Sequence, residues 1–153
     1  MSYTLSFYTV PADELTAQLT ARTTSNDPET VAKHAVELLR HLGSPVDAVD
    51  HSSAGGTWFR DRFIGEALAG LIGAEPAGHL LDRPLAGTKW TGYPSMGWLT
   101  RNELADAVSA LDEAGEDALA PLDDPDSEEL LEIVGDILHM AAQTHQDLVT
   151  IYS

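Results

Sequence analysis

Tyr3, Leu5 and Phe7 alternate with Thr4, Ser6 and Tyr8, the period of two expected when one face of a strand is buried. The alternation predicts a strand over residues 2–10. After Pro11 the period lengthens, with Leu15 and Leu19 on one side of a short helix and Asp13 and Glu14 in its first turn, where the helix dipole favours negative charge. That helix is expected to fray by Thr23. Asp27 is placed to cap a second helix that has Pro28 at its first position and Val31, Ala35, Leu38, Leu39 and Leu42 as its apolar stripe. Gly43-Ser44-Pro45 ends it.

Residues 44–56 read as a loop, and a third helix follows from Thr57 to about Ile72 with Trp58, Phe59, Phe63, Leu68 and Leu71 as its bulk. Arg60, Asp61, Arg62 and Glu66 fall mainly to solvent, and the interior Gly65 and Gly70 each cost about 1 kcal/mol relative to alanine. From Glu75 to Gly97 the chain carries Pro76, Pro84 and Pro94 among four glycines, a pattern that predicts no long regular element. The fourth helix has a clear start. Thr100 can cap the Glu103 amide, Glu103 can return the bond, and Leu99 can staple onto Leu104. Leu104, Val108 and Leu111 then line one face, and Gly115 suits the left-handed exit. An acidic connector, Glu116 to Pro125, leads to a fifth helix expected to be capped by Asp126 or Ser127. Its stripe is Leu130, Ile133, Val134, Ile137, Leu138 and Ala141. Residues 148–152 close the chain as a strand whose backbone is most simply satisfied by pairing beside the first strand. No internal repeat is visible.

At 153 residues the chain has the size of one domain around one core. The expectation is a single α+β domain, residues 1–153, with about five helices packed on a small sheet that holds strands 2–10 and 148–152. Three segments add a family likeness: Tyr8-Thr9-Val10-Pro11-Ala12-Asp13-Glu14-Leu15, Gly92-Tyr93-Pro94-Ser95-Met96-Gly97-Trp98-Leu99-Thr100, and Ala141-Ala142 with Leu148-Val149-Thr150-Ile151-Tyr152. Together they resemble the YfbM-like family of small uncharacterised bacterial proteins. The resemblance implies an α+β fold and hands over no catalytic residues. The chain departs from that family at Pro94-Ser95, where glycine tends to repeat, and at the helix start Thr57-Trp58-Phe59.

Cysteine is absent, which excludes disulfides, thiolate zinc sites and cysteine nucleophiles and suits a reducing, cytoplasmic compartment. No basic residue precedes Arg22, as a secretory signal would require, and the longest uncharged apolar run, Ala67 to Ala74, is far short of the roughly 20 residues of a membrane span. Charge changes the picture more. Of a net −17, residues 102–153 hold 14 acidic and no basic residues, whereas residues 1–101 hold all 8 basic residues with 11 acidic ones. A field of that sign repels nucleic-acid phosphates and anionic lipid and attracts a basic protein. Two lysines in the whole chain, Lys33 and Lys89, also fit simple solubility or salt adaptation.

Familiar chemistry is missing. His34 and His41 lie seven apart on one helix and His139 and His145 six apart near another, so neither pair has the i, i+4 spacing of a helical zinc site. No metal site or cofactor is expected. Gly87-Thr88-Lys89-Trp90 lacks the spacing of a phosphate-binding loop, and neither a Gly-x-Ser-x-Gly elbow nor a Gly-x-Gly-x-x-Gly fingerprint occurs. Asp123-Asp124-Pro125-Asp126 lacks the glycine and distal glutamate of an EF-hand loop. Glu128, Glu129, Glu132 and Asp136 are the polar side of the fifth helix.

Two functional readings follow. The first is a non-enzymatic acidic interaction protein, of inhibitor, immunity or accessory type. It would meet a basic protein partner through Asp112, Glu113, Asp123, Asp124, Glu128 and Glu132. The alternative is a small-molecule-binding domain or enzyme that uses the Gly- and aromatic-rich segment 75–101, with Arg83, Lys89, Trp90, Tyr93 and Arg101 around an anionic ligand. In that segment Trp98 is expected to join the core and Trp90 to make contacts. Direct binding to nucleic acid or membrane is not expected.

Overall fold

A computed structural model of the chain describes residues 2–22, 27–52, 58–83, 95–114 and 125–153. In chain order the elements are β1 (Ser2–Val10), α1 (Ala12–Arg22), α2 (Pro28–Leu42), β2 (Ser44–Ser52), a π-helix (Trp58–Leu68) running into α3 (Ala69–Ile72), α4 (Ala74–His79), β3 (Ser95–Leu99), α5 (Arg101–Ala114), α6 (Pro125–Ala142) and β4 (Asp147–Tyr152). The strands form one antiparallel sheet in the order β2-β1-β4-β3. The fold is α+β, and the first and last strands pair with each other at the centre of the sheet; their pairing is as expected from the need to satisfy the backbone of residues 148–152.

Side chains that alternate along a strand point to opposite faces, and here both faces are covered. On one face Leu5, Phe7, Val49, Leu148 and Tyr152 pack with Phe63, Leu68, Leu80, Leu104, Val134, Ile137 and Leu138 from the π-helix and α4–α6. On the other, Met96, Val149 and Ile151 pack with Leu15 and Leu19 of α1 and Val31, Ala35, Leu38 and Leu39 of α2. β4, paired on both sides, is therefore buried from Leu148 to Tyr152. Each such leucine or phenylalanine withdrawn from water contributes about 1.5–3 kcal/mol.

The caps expected at Asp27 and Thr100 are present. Asp27 accepts from the Thr30 amide at 3.2 Å. Thr100 Oγ1 accepts from the Glu103 amide at 3.1 Å while Glu103 Oε1 accepts from the Thr100 amide at 3.0 Å. Several expectations need correction. Residues 44–52, read as loop, are the edge strand β2: its polar surface and Pro45 suit an edge, where a missing N–H costs nothing. Val46 is skipped in the pairing between Phe7↔Asp47 and Tyr8↔Pro45, a bulge that breaks the alternation by which a strand is recognised. The stretch 75–97, where no long regular element is expected, holds only short ones among the described residues: most of the six-residue α4 and the start of the five-residue β3. The third helix is wound as a π-helix over most of its length. α6 begins at Pro125, ahead of the expected caps, and Ile133 is 37% exposed while Leu131 takes its place in the core.

Gly97 is fixed by contact. A Cβ on it would overlap the carbonyl carbon and oxygen of Leu80 and the oxygen of His79, because the end of α4 crosses β3 there and Thr150 Oγ1, on the neighbouring strand, donates to the Leu80 oxygen at 2.6 Å.

Candidate functional site

The pairing Val10↔Asp147 and Leu99↔Leu148 brings three chain turns to one end of the sheet. β1 runs into α1 through Pro11, β3 runs into α5 through Thr100, and α6 returns to β4 through residues 143–146. Asp147 sits between the two helix starts. Its Oδ2 accepts from the Ala12 amide at 3.0 Å and its Oδ1 from the Arg101 amide at 2.8 Å, so one carboxylate satisfies an orphan donor on each helix and lies at both positive dipole ends. In the turn that precedes it, Thr144 Oγ1 donates to the Ala141 oxygen at 2.7 Å and His145 adopts φ 57°. That left-handed conformation suits glycine and costs a side-chain-bearing residue about 1 kcal/mol.

Beside Asp147 opens a cleft of about 450 Å³ walled by Pro11, Asp13, Trp98, Arg101, Asn102 and His145, among others. Arg101 and Asp13, in the first turns of α5 and α1, are both exposed. Trp98 is half-buried against the α1–α2 side, and its Nε1–H has no acceptor among the described residues. The core position expected for Trp98 is thus only partly realised.

Arg83 is committed elsewhere. Its amide donates to the Met96 oxygen at 2.8 Å, its guanidinium lies 4.0 Å over the Trp98 ring, and its Nη1 donates to Glu103 Oε1 at 2.8 Å. Partial burial pushes the Glu103 carboxyl up, but the hydrogen bonds from Arg83 and Thr100 and the guanidinium charge outweigh it, and Glu103 is held below the ordinary carboxylate value. Arg83 therefore ties β3 to the start of α5 through a partly buried bridge, and among the described residues of the expected ligand set Arg101 is the exposed cation. Lys89, Trp90 and Tyr93 lie outside the described residues.

The acids of the first reading gather on α5 and α6, which pack side by side. Asp106, Asp112 and Glu113 on α5 and Glu128, Glu129, Glu132 and Asp136 on α6 are all exposed, and Asp123 and Asp124 lie outside the described residues. Asp112 has a partner that charge counting with neutral histidines missed: His139 Nε2 is 2.8 Å from Asp112 Oδ1 while its Nδ1 is 2.7 Å from the Gly135 oxygen. The Asp112 bond, then the Gly135 carbonyl, raise the His139 pKa, burial opposes them, and the charges of Asp112 and Asp136 add to the rise. Ile133 and Met140, at 37% and 46% exposure, lie on the same helix as these acids.

Asp147 and His145 escaped sequence reasoning as site residues. The available signal was the repeat of one pattern, an apolar strand end followed one residue later by a helix start, at Val10-Pro11-Ala12 and Leu99-Thr100-Arg101. Among the described residues no group of three or more His, Asp or Glu side chains could hold a metal ion, and no helix is long and apolar enough to cross a membrane. Residues 34–153, from within α2 to the end of β4, match a family model described as Domain of unknown function (DUF7691). No curated protein and no solved structure matches the chain.

Proposed function

We propose that this chain, which belongs to the DUF7691 family, is a non-enzymatic interaction protein whose α5–α6 face receives a basic protein partner. One observation carries the reading: past Arg101 neither helix bears a lysine or arginine, and seven exposed carboxylates from Asp106 to Asp136 share the surface of two packed helices. Burial of the apolar stripes turns these acids outward together, and a surface of one sign speeds encounter with a partner of the other. The finer likeness to YfbM-like proteins is kept as a proposal on the three segments that carry it; a solved YfbM-like structure with its last strand between its first and third would support it.

The test is a variant with Glu113, Glu128, Glu129 and Glu132 changed to lysine. These positions are exposed, so the helical circular-dichroism signal should stay while association with the partner captured from native lysate slows steeply at low salt. A captured partner that is itself acidic, or equal association rates for wild type and variant, would leave the face as a solubility device. A second reading, a small ligand held beside the 75–101 segment, is favoured by the position of Arg101 on the cleft at the sheet end.

A further inference from the structure

We infer that the cleft beside Asp147 binds a small zwitterion of the amino-acid class, with its carboxylate toward Arg101 and its ammonium toward Asp13. This rests on the second reading, that a small ligand is held beside Arg101, and names what the ligand must be. A space of about 450 Å³ is within the range of small-molecule sites, and the arrangement of charge narrows its occupant.

Asp147 is compensated within the fold: each of its oxygens accepts a main-chain N–H, and it lies at the positive ends of two helices. What remains for a ligand is one cation and one anion on separate helices. Arg101 and Asp13 are exposed, border the same cleft, and form no ion pair with each other or with any other described residue. A lone anion in this space meets Asp13, and a lone cation meets Arg101. A molecule that carries both charges a few bonds apart meets a complement at each end.

The rest of the lining suits the remainder of such a molecule. Trp98, Asn102, His145 and Gln146 also line the cleft, an aromatic residue and three residues whose side chains can hydrogen-bond. His145, one of the lining residues, is held in the left-handed region at φ 57°, where glycine would be the unstrained choice.

Isothermal titration of the full chain with the standard L-amino acids at millimolar concentration tests the assignment, with three controls for any binder: its N-acetyl derivative, which lacks the ammonium; its amide, which lacks the carboxylate; and acetate. The expected result is that at least one free amino acid binds and that each derivative binds about tenfold more weakly or worse. Arg101→Gln should weaken the amide less than the parent, and Asp13→Asn should weaken the N-acetyl derivative less than the parent. Arg101→Gln should keep the wild-type melting midpoint and Asp13→Asn should lower it only slightly, since neither side chain has an ion-pair partner among the described residues and Asp13 contributes its charge to the first turn of α1. If acetate and the N-acetyl derivative bind as well as the parent and Asp13→Asn changes nothing, the site is a plain anion site, and the inference fails while the reading it rests on survives. If no amino acid and no acetate binds, both are overturned.

Discussion

Replacement of Asp147 by alanine removes one side chain and unseats two helices. The carboxylate accepts the Ala12 amide at 3.0 Å and the Arg101 amide at 2.8 Å, and loss of a single N-cap acceptor typically costs about 1 kcal/mol. Two such losses give about 2 kcal/mol, and removal of a negative charge from two helix N-termini adds about 0.3–1 kcal/mol, so roughly 3 kcal/mol is expected. Asp147→Asn keeps one good acceptor and no charge and should cost about half as much. Thr100→Ala removes only the acceptor for the Glu103 amide and should cost about 1 kcal/mol. Urea denaturation measures all three: the midpoints should fall in the order Thr100→Ala, then Asp147→Asn, then Asp147→Ala, with the slope against urea unchanged. The middle interval is small, but the outer two differ enough to rank. An Asp147→Ala loss below about half a kcal/mol, or one smaller than that of Thr100→Ala, would show that the carboxylate does not serve both helices.

Gly97→Ala should cost about 3 kcal/mol, at the upper end of overpacking effects, because the added methyl overlaps the main chain of Leu80, which cannot rotate away; a denaturation midpoint equal to wild type would contradict this contact. Leu104→Ala and Ile137→Ala, both essentially inaccessible to solvent, should each lose about 2–5 kcal/mol by the same assay. The pH dependence of the α5–α6 contact has a definite sign. The folded pKa of His139 is raised above 6.5, so the stabilisation from its charged form is full below that value and fades as pH rises through the folded pKa. Both partners are well exposed, so the effect is a few tenths of a kcal/mol, and Asp112→Asn should flatten it in urea midpoints measured either side of neutrality.

The amphipathic elements could be read from the chain because their signal is local. Asp27, Thr100 and Glu103 cap where three- and four-residue spacing places them, and Leu15, Leu19, Leu38, Leu39, Val134 and Leu138 are buried as their periodicity requires. β2 and β3 were hidden for physical reasons. A bulge at Val46 and an edge rich in Ser, Pro and Asp remove alternation from β2, and in β3 Gly97 reads as a loop residue although contact with Leu80 is what demands it. The cleft was hidden more deeply. Ala12, Arg101 and Asp147 come together only through strand pairing between distant parts of the chain, which no local pattern encodes. The bond from Arg83 to Glu103 was hidden for a similar reason, since it joins residues twenty apart that meet only where the end of α4 crosses the sheet.

The position of β4 between β1 and β3 governs how the molecule can be assembled. During synthesis the described helices and the other three described strands leave the ribosome before β4 does, and until it arrives β1 lacks the partner for one whole edge and β3 has no strand partner among the described residues. The apolar faces of Leu5 and Phe7 wait with them. Pairing β1 with β4 closes a loop of nearly the entire chain, a contact of long range that slows folding and leaves strand edges available for wrong pairings in the interval. Loss of the final few residues would thus remove the middle of the sheet and detach β3, whereas loss of β2 would strip only an edge.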